Sequence, residues 1–245
     1  MQRLDQAGPR NNFLLSQLPP SEYKRLAAHL EIKALELGDV LYETSTERDF
    51  VYFPVSGIVS ILEMLQDGSS SEIALIGSEG MVGISVVLGG GHQPNRAVVQ
   101  SAGTAYRVPA PALYEAFHRG GVLMDAILLY IQALYTQVAQ MAVCNRHHNL
   151  QQQLSRWLLL SLDRMDTNEI ALTQELIAGI LGVRREGITR AARVLQDQHI
   201  IEYRRGCITV VDRQRLEEVC CECYKVVRNE AERLSSRTRT RGPTN

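Results

Sequence analysis

The sequence predicts an α+β protein built as an N-terminal β-roll or jelly-roll, a long central helix, and a C-terminal helix–turn–helix closed by a small hairpin. Three observations carry this expectation. Between Ile32 and about Val108, short apolar runs alternate with turn residues, as in a sandwich or rolled barrel. From Leu113 to about Arg146 no proline intervenes and apolar residues recur at three- and four-residue steps, a helical period. After residue 149 helical spacing resumes and then gives way to two short strand-like runs. The expected divisions are 12–112 for the β-roll, 113–148 for the long helix, 149–230 for the helix–turn–helix domain and 231–245 for a polar, disordered tail.

Residues 12–30 read as a short helix. Pro19-Pro20-Ser21-Glu22 is a start signal, and Tyr23, Leu26, Ala27 and Leu30 follow at helical spacing. Val40–Tyr42, Phe50–Phe53, Ile58–Met64, Glu72–Ile76 and Ala97–Ser101 then read as strands. They are punctuated by Gly38-Asp39, Pro54, Ser56-Gly57, Asp67-Gly68, Gly77 and Gly89-Gly90-Gly91. Asp67-Gly68 between apolar runs is a hairpin signal.

In the long helix Leu123, Ile127, Ile131, Leu134, Val138 and Met141 are separated by steps of 4, 4, 3, 4 and 3. That pattern fits a heptad seam pairing with a copy of itself, or a helix packed on its own domain. Its length and its place between two differently patterned halves favour the homodimer seam.

The C-terminal part is the most specific. Leu154, Trp157, Leu158, Ser161 and Leu162 mark one amphipathic helix. Thr173 is suited to cap the next, Gln174–Leu181, with Glu175 in the first turn where the helix dipole favours negative charge. Leu176, Ile177 and Ile180 give that helix a buried side, and Gly182 ends it. A second helix runs from about Arg184 to Gln196, with Ile188, Ala192 and Leu195 as one apolar stripe. Glu186, Thr189, Arg190 and Arg193 project from the opposite side, with Arg185 at the flank. A helix buried on one side and carrying Arg and Glu on the other can enter a major groove, Arg reading guanine and Glu reading cytosine. Ile200–Tyr203 and Ile208–Val211, joined by Arg204-Arg205-Gly206, form the hairpin.

Composition agrees without being decisive. The net charge of −1 divides into 9 basic against 14 acidic residues over 1–145 and 17 against 13 over 146–245. Only Lys24, Lys33 and Lys225 are lysines among the 26 basic residues, and arginine suits bidentate recognition of phosphate or guanine. No uninterrupted run of about 18 apolar residues occurs, and Met1–Asn11 lacks the apolar core of a secretion signal. A cytoplasmic protein with no membrane partner is expected.

Residues 172–211, from Leu172-Thr-Gln-Glu-Leu-Ile-Ala through Gly182-Val-Arg-Arg185-Glu186 to Gly206-Cys-Ile-Thr-Val-Val211, resemble the winged helix–turn–helix of the Crp/Fnr superfamily of bacterial transcription regulators. Val51-Tyr-Phe-Pro-Val-Ser-Gly57-Ile-Val-Ser is similar to the β-roll of the same superfamily, which is followed by a dimerisation helix. The resemblance implies a homodimer on double-stranded DNA, with RNA polymerase as a further partner if the protein activates. It implies base contacts from Arg185, Glu186 and Arg190, to which the exposed side of the helix adds Thr189, and phosphate contacts from Thr173 and Arg184.

The β-roll departs from the cyclic-nucleotide binders of that superfamily. A Gly-Glu pair there holds the ribose and an Arg-Ser/Thr pair the cyclic phosphate. The matching positions here are Gly83-Ile84, within Gly80-Met-Val-Gly83-Ile84, and Arg96-Ala97. Gly83, Ile84, Arg96 and Ala97 are therefore candidate effector-pocket residues, but isoleucine cannot accept from a ribose hydroxyl, and cAMP is not the expected effector. The iron–sulfur branch needs N-terminal cysteines, whereas the first here is Cys144. His29, His92 and His118 sit in no haem motif. No cofactor is expected, and the effector is unknown.

Two cysteine clusters remain. Cys144, His147 and His148 share a helix face compatible with metal ligands, but read more simply as a buried thiol with solvated imidazoles. Cys220, Cys221 and Cys223 lie among Glu217, Glu218 and Glu222. Acidic neighbours raise thiol pKa values, so structural packing with low reactivity is expected. No metal site is assigned. The alternative class is a cupin-like jelly-roll metal enzyme, for which the barrel stretch offers only His92 as a histidine ligand; no catalytic set is assigned.

Overall fold

The structure is a computed structural model that describes residues 8–45, 49–89, 92–204 and 206–240. Gly90 and Gly91 of the expected glycine turn, Arg205 of the expected hairpin tip and tail residues 241–245 lie outside the described residues. In chain order, α1 (Phe13–Ser16) and α2 (Pro20–Ala27) precede the strands β1 (Glu31–Leu35), β2 (Val40–Tyr42), β3 (Phe50–Met64) and β4 (Ser70–Ile76). A turn of helix, α3 (Ser85–Leu88), leads to β5 (Arg96–Pro109), α4 (Ala110–His118) and α5 (Val122–His147). Then come α6 (Leu150–Leu162), β6 (Glu169–Ile170), α7 (Gln174–Leu181) and α8 (Arg185–Asp197). The chain closes with β7 (Ile201–Arg204), β8 (Cys207–Val210), α9 (Arg213–Val219) and α10 (Cys223–Thr240).

These elements form two compact units. The first comprises Met1–Ile61, Ile76–Tyr135 and Glu230–Asn245; the second comprises Leu62–Leu75 and Thr136–Asn229. The large sheet has the order β1-β5-β3-β4, with β2 also on β5. The β1–β5 register runs from Glu31↔Arg107 to Leu35↔Gly103. Where the sequence suggests two strands separated by Pro54 and Ser56-Gly57, β3 continues unbroken from Phe50. The Ser56 hydroxyl accepts from Thr104 N at 3.1 Å, so a side chain supplies an acceptor at this irregular point of the ladder.

In the first unit Leu14, Leu15, Val51, Phe53, Met81, Leu113 and Ile127 share one core. Buried Asn12 caps α1 and donates to Pro54 O at 2.9 Å and Gly80 O at 2.8 Å, so its polar cost is met. The helix expected over 12–30 is split, because Pro20 starts α2 afresh. The single helix expected over 113–148 is also split. Gly120 and Gly121 take φ of 77° and 85°, a left-handed conformation that ends α4 before α5 begins. Tyr130 on α5 donates to Met81 O at 3.0 Å, and a Cβ at Gly80 would lie 2.3 Å from its ring. Only glycine lets the ring approach this closely.

In the second unit α6 packs on α8 and α9, burying Leu154, Trp157, Leu158, Ile188, Leu195 and Leu216. Asn149 and Gln152 form a reciprocal capping box at the start of α6. The small sheet has the order β6-β8-β7. Arg213 pairs with Asp163 and Glu217 and donates to Tyr224 Oη, tying α9 and α10 to the end of α6. One expectation is corrected at the C-terminus. Residues 231–240, read from their polarity as disordered tail, continue α10 to Thr240.

Candidate nucleic-acid interface

The interface is built on how α7 and α8 are held. Thr173 Oγ1 accepts from Leu176 N at 3.3 Å, so it caps α7 as expected. At the other end Gly182 takes φ 65° and its N–H bonds to Ala178 O, leaving a turn of three residues before α8. The buried side of α7 is Ile177, Ala178 and Leu181. Leu176 and Ile180 were expected there too, but Leu176 is 51% exposed and Ile180 half-exposed, since at about 100° per residue the buried arc of α7 centres between Ile177 and Ala178.

On α8, Ile188, Ala191, Ala192 and Leu195 are buried, close to the expected stripe. Arg184, Arg185, Glu186, Thr189, Arg190 and Arg193 are all exposed. Arg193 is drawn toward Asp197 at 3.9 Å, a loose contact. Among the described residues Arg185, Glu186 and Arg190 have no ion-pair partner. Three charged groups on one face of a helix, none answered by another described residue, are open to water or to an external ligand. Thr189 differs, since its hydroxyl lies 2.6 Å from Gln174 Oε1 and 3.1 Å from Arg185 O. Its single proton is engaged internally, and Gln174 is a residue of this face that the helix pattern did not single out. A hydroxyl partner one helix away leaves no periodic trace. The hairpin of β7 and β8 follows directly, with Tyr203 donating to Leu172 O at 3.4 Å and Glu202 paired with Arg204 at 3.2 Å.

The candidate effector residues divide by environment. Gly83 is buried with φ 105°, and Ile84 packs half-buried against the core of the first unit. Ala97 is fully buried. Arg96 Nε lies 3.1 Å from Glu43 Oε1, without the alignment of a hydrogen bond. The guanidinium thus already faces a carboxylate. Beside Ile84 in sequence, Ser85 donates from Oγ to Gln93 Oε1 at 2.6 Å.

The seam expected on α5 needs correction. Leu123, Ile127 and Met141 are only 3%, 0% and 5% exposed within one chain, so they have no surface to offer a partner. Leu134 packs half-buried against the first unit's core. Ile131 and Val138 remain half-exposed. The outward apolar row is displaced by about one residue: Leu128 is 47% and Tyr135 73% exposed, with Ala142 exposed one heptad further. By length and composition α5 could even cross a membrane, and only 28% of its most apolar stretch is buried.

The fold unites the two cysteine clusters. Cys144, Cys221 and Cys223 are buried together with Cys220 against them, and His148 joins them while His147 is exposed. The imidazole of His148 is not solvated as expected; its side chain is 14% exposed. Hydrogen bonding to Cys221, with burial, pushes the Cys144 and Cys220 thiols up. The same bonds hold Cys221 well below the ordinary thiol range, opposite to the rise that its acidic neighbours suggest.

A family model described as the Crp-like helix–turn–helix domain matches residues 152–219, and one for the cyclic nucleotide-binding domain matches residues 32–119. No curated protein matches the chain by sequence. Among solved structures, a regulator assigned to the crp/fnr family from Eubacterium rectale superposes with a TM-score of 0.66 at 19% identity, over 84% of this chain and 96% of that one. FixK2 from Bradyrhizobium japonicum gives 0.65 at 18%, over 78% and 98%. The regulator CLP from Xanthomonas campestris, described as c-di-GMP responsive, gives 0.60 at 14%, over 78% and 99%. At these identities the likeness is one of fold.

Proposed function

We propose that the chain, in which residues 152–219 match the Crp-like helix–turn–helix domain and residues 32–119 the cyclic nucleotide-binding domain, is a sequence-specific DNA-binding regulator of the Crp/Fnr type acting as a homodimer on a near-palindromic operator. The observation that carries this is the row Arg185, Glu186 and Arg190 on α8, exposed and unanswered opposite a fully buried stripe. Arg185, in the first turn, can present a bidentate donor pair to guanine O6 and N7, and Glu186 an acceptor to cytosine N4. Arg190 lies one turn further along the same face. Thr173 and Arg184, at the starts of α7 and α8, are placed for phosphates, where helix N-termini favour negative charge. Thr189 contributes less to base reading than the arginines, since its proton is held by Gln174.

The dimer would form along Leu128, Ile131, Tyr135, Val138 and Ala142, steps of 3, 4, 3 and 4 that suit helix pairing. An exposed Tyr135 and Leu128 on the most apolar helix support this row over solvent exposure. An unidentified effector of the β-roll would bias two arrangements of the paired α5 helices and so set the separation of two α8 helices. The protein would work in the cytoplasm, and as an activator it would act through RNA polymerase.

Selection from a random duplex pool by the full-length protein tests this reading. The expected outcome is an enriched near-palindrome whose half-sites lie about 34 Å apart, one helical turn. Salt-sensitive binding with no enriched sequence would sink the sequence-specific assignment.

A further inference from the structure

We propose that Cys144, His148, Cys221 and Cys223 form a zinc site in the second unit, with Arg156 and Glu222 as its supporting charges. The four ligand atoms all lie within 4.8 Å of one another. Cys144 Sγ is 3.5 Å from Cys221 Sγ, and Cys223 Sγ is 3.4 Å from His148 Nδ1. Ligands about 2.0–2.3 Å from a tetrahedral zinc are separated by roughly 3.4–3.8 Å, so these two separations match edges of such a tetrahedron. Soft thiolates with one imidazole select zinc over the hard cations that prefer oxygen.

Two independent features point to a charged occupant. Arg156 on α6 is 1% exposed, and among the described residues none of its three guanidinium nitrogens has a hydrogen-bond partner. Its charge acts on Cys144 and Cys220. A buried guanidinium that no hydrogen bond answers calls for negative charge close by. Three thiolates and a neutral imidazole around a divalent zinc carry one net negative charge, and Arg156 balances it. The second feature is the outer face of the histidine. His148 Nε2 lies 3.3 Å from Glu222 Oε2 while Nδ1 faces Cys223, the carboxylate–histidine arrangement that orients metal-bound imidazoles. Gln153 Nε2 donates to His148 O at 2.9 Å and Gln140 Nε2 to Cys223 Sγ at 3.2 Å, so both ligands are held by neighbours.

The chain supplies these ligands from two places. Cys144 and His148 are one turn apart at the end of α5, and Cys221 and Cys223 flank the start of α10. Zinc would fasten the end of the α5 helix to the segment that follows α9. Cys220 packs against the set but is not among the four.

The test is the metal content of the full-length protein purified under reducing conditions without chelator. About one zinc per chain is expected. Cys144→Ser, and separately Cys221→Ser with Cys223→Ser, should lower the content at least tenfold, whereas Cys207→Ser on β8 should leave it unchanged. Glu222→Gln should weaken zinc affinity by about 10- to 100-fold in competition with a chromophoric chelator. Because a serine variant can fail to fold, cobalt is titrated into the reduced, metal-stripped wild-type protein. Intense thiolate-to-cobalt absorption with tetrahedral visible bands is expected. Zinc below a tenth per chain without that absorption would overturn the site. So would zinc retained by both cysteine variants, or iron with acid-labile sulfide in its place.

Discussion

At the scale of single residues, the proposed function assigns base reading and phosphate holding to different groups. Arg185 is exposed on the first turn of α8 and, among the described residues, has no carboxylate partner. Arg185→Ala should therefore cost about 1–3 kcal/mol per half-site on the selected operator and relax preference at one base pair. Thr173→Ala should weaken all duplexes alike, since a phosphate contact carries no base information. It should also cost about 1 kcal/mol of stability through loss of the cap on Leu176 N. Binding series on operators substituted at every half-site position, at one salt concentration, separate the two. Equal loss on all operators for Arg185→Ala would mean that α8 docks on the backbone instead. The same reasoning governs the β-roll. Ile84 has no acceptor, Ala97 no hydroxyl, and Arg96 faces Glu43. Calorimetry should therefore show no saturable binding of cAMP in the micromolar range. Saturable binding that disappears in Arg96→Ala would overturn this.

At the scale of elements, helices bounded by caps were legible and faces were less so. Thr173 and Gly182 fixed α7 within a residue because each acts on the backbone locally. The stripe Ile188, Ala192 and Leu195 likewise identified the inner side of α8. On α5 the same logic misled, because that helix is apolar on two sides. Leu123 and Ile127 face their own core while Leu128 and Tyr135 face outward, and a spacing count merges the two rows into one. The dimer prediction belongs to the outward row. Leu128→Glu with Tyr135→Glu should yield monomers by light scattering and lower operator affinity, with secondary structure retained by circular dichroism. A folded double variant that remains dimeric would exclude this row. A charge at Ile127 should instead unfold the first unit, since that side chain is fully buried in an apolar core.

At the scale of the whole molecule, what sequence order hid was proximity. The Cys144–His148 pair and the Cys221–Cys223 pair each look structural alone, and only the fold brings their ligand atoms within 4.8 Å of one another. Chain order is equally silent about the hairpin between β3 and β4. Leu62–Leu75 is read with the β-roll, yet it is grouped with Thr136–Asn229. Leu75 O accepts from Gln137 Nε2 at 3.1 Å, and Gln137 Oε1 accepts from Arg164 Nη2 at 3.1 Å. At the hairpin's tip Ser71 Oγ would stand 3.2 Å from a Cβ at Gly182, the turn that leads into α8. Exchange of parts between regulators of this kind therefore cannot follow a single cut before Leu150. A chimera joined there would keep α7 and α8 but surround them with a foreign hairpin. To transplant the proposed reading helix with its native surroundings, Leu62–Leu75 has to travel with the C-terminal half.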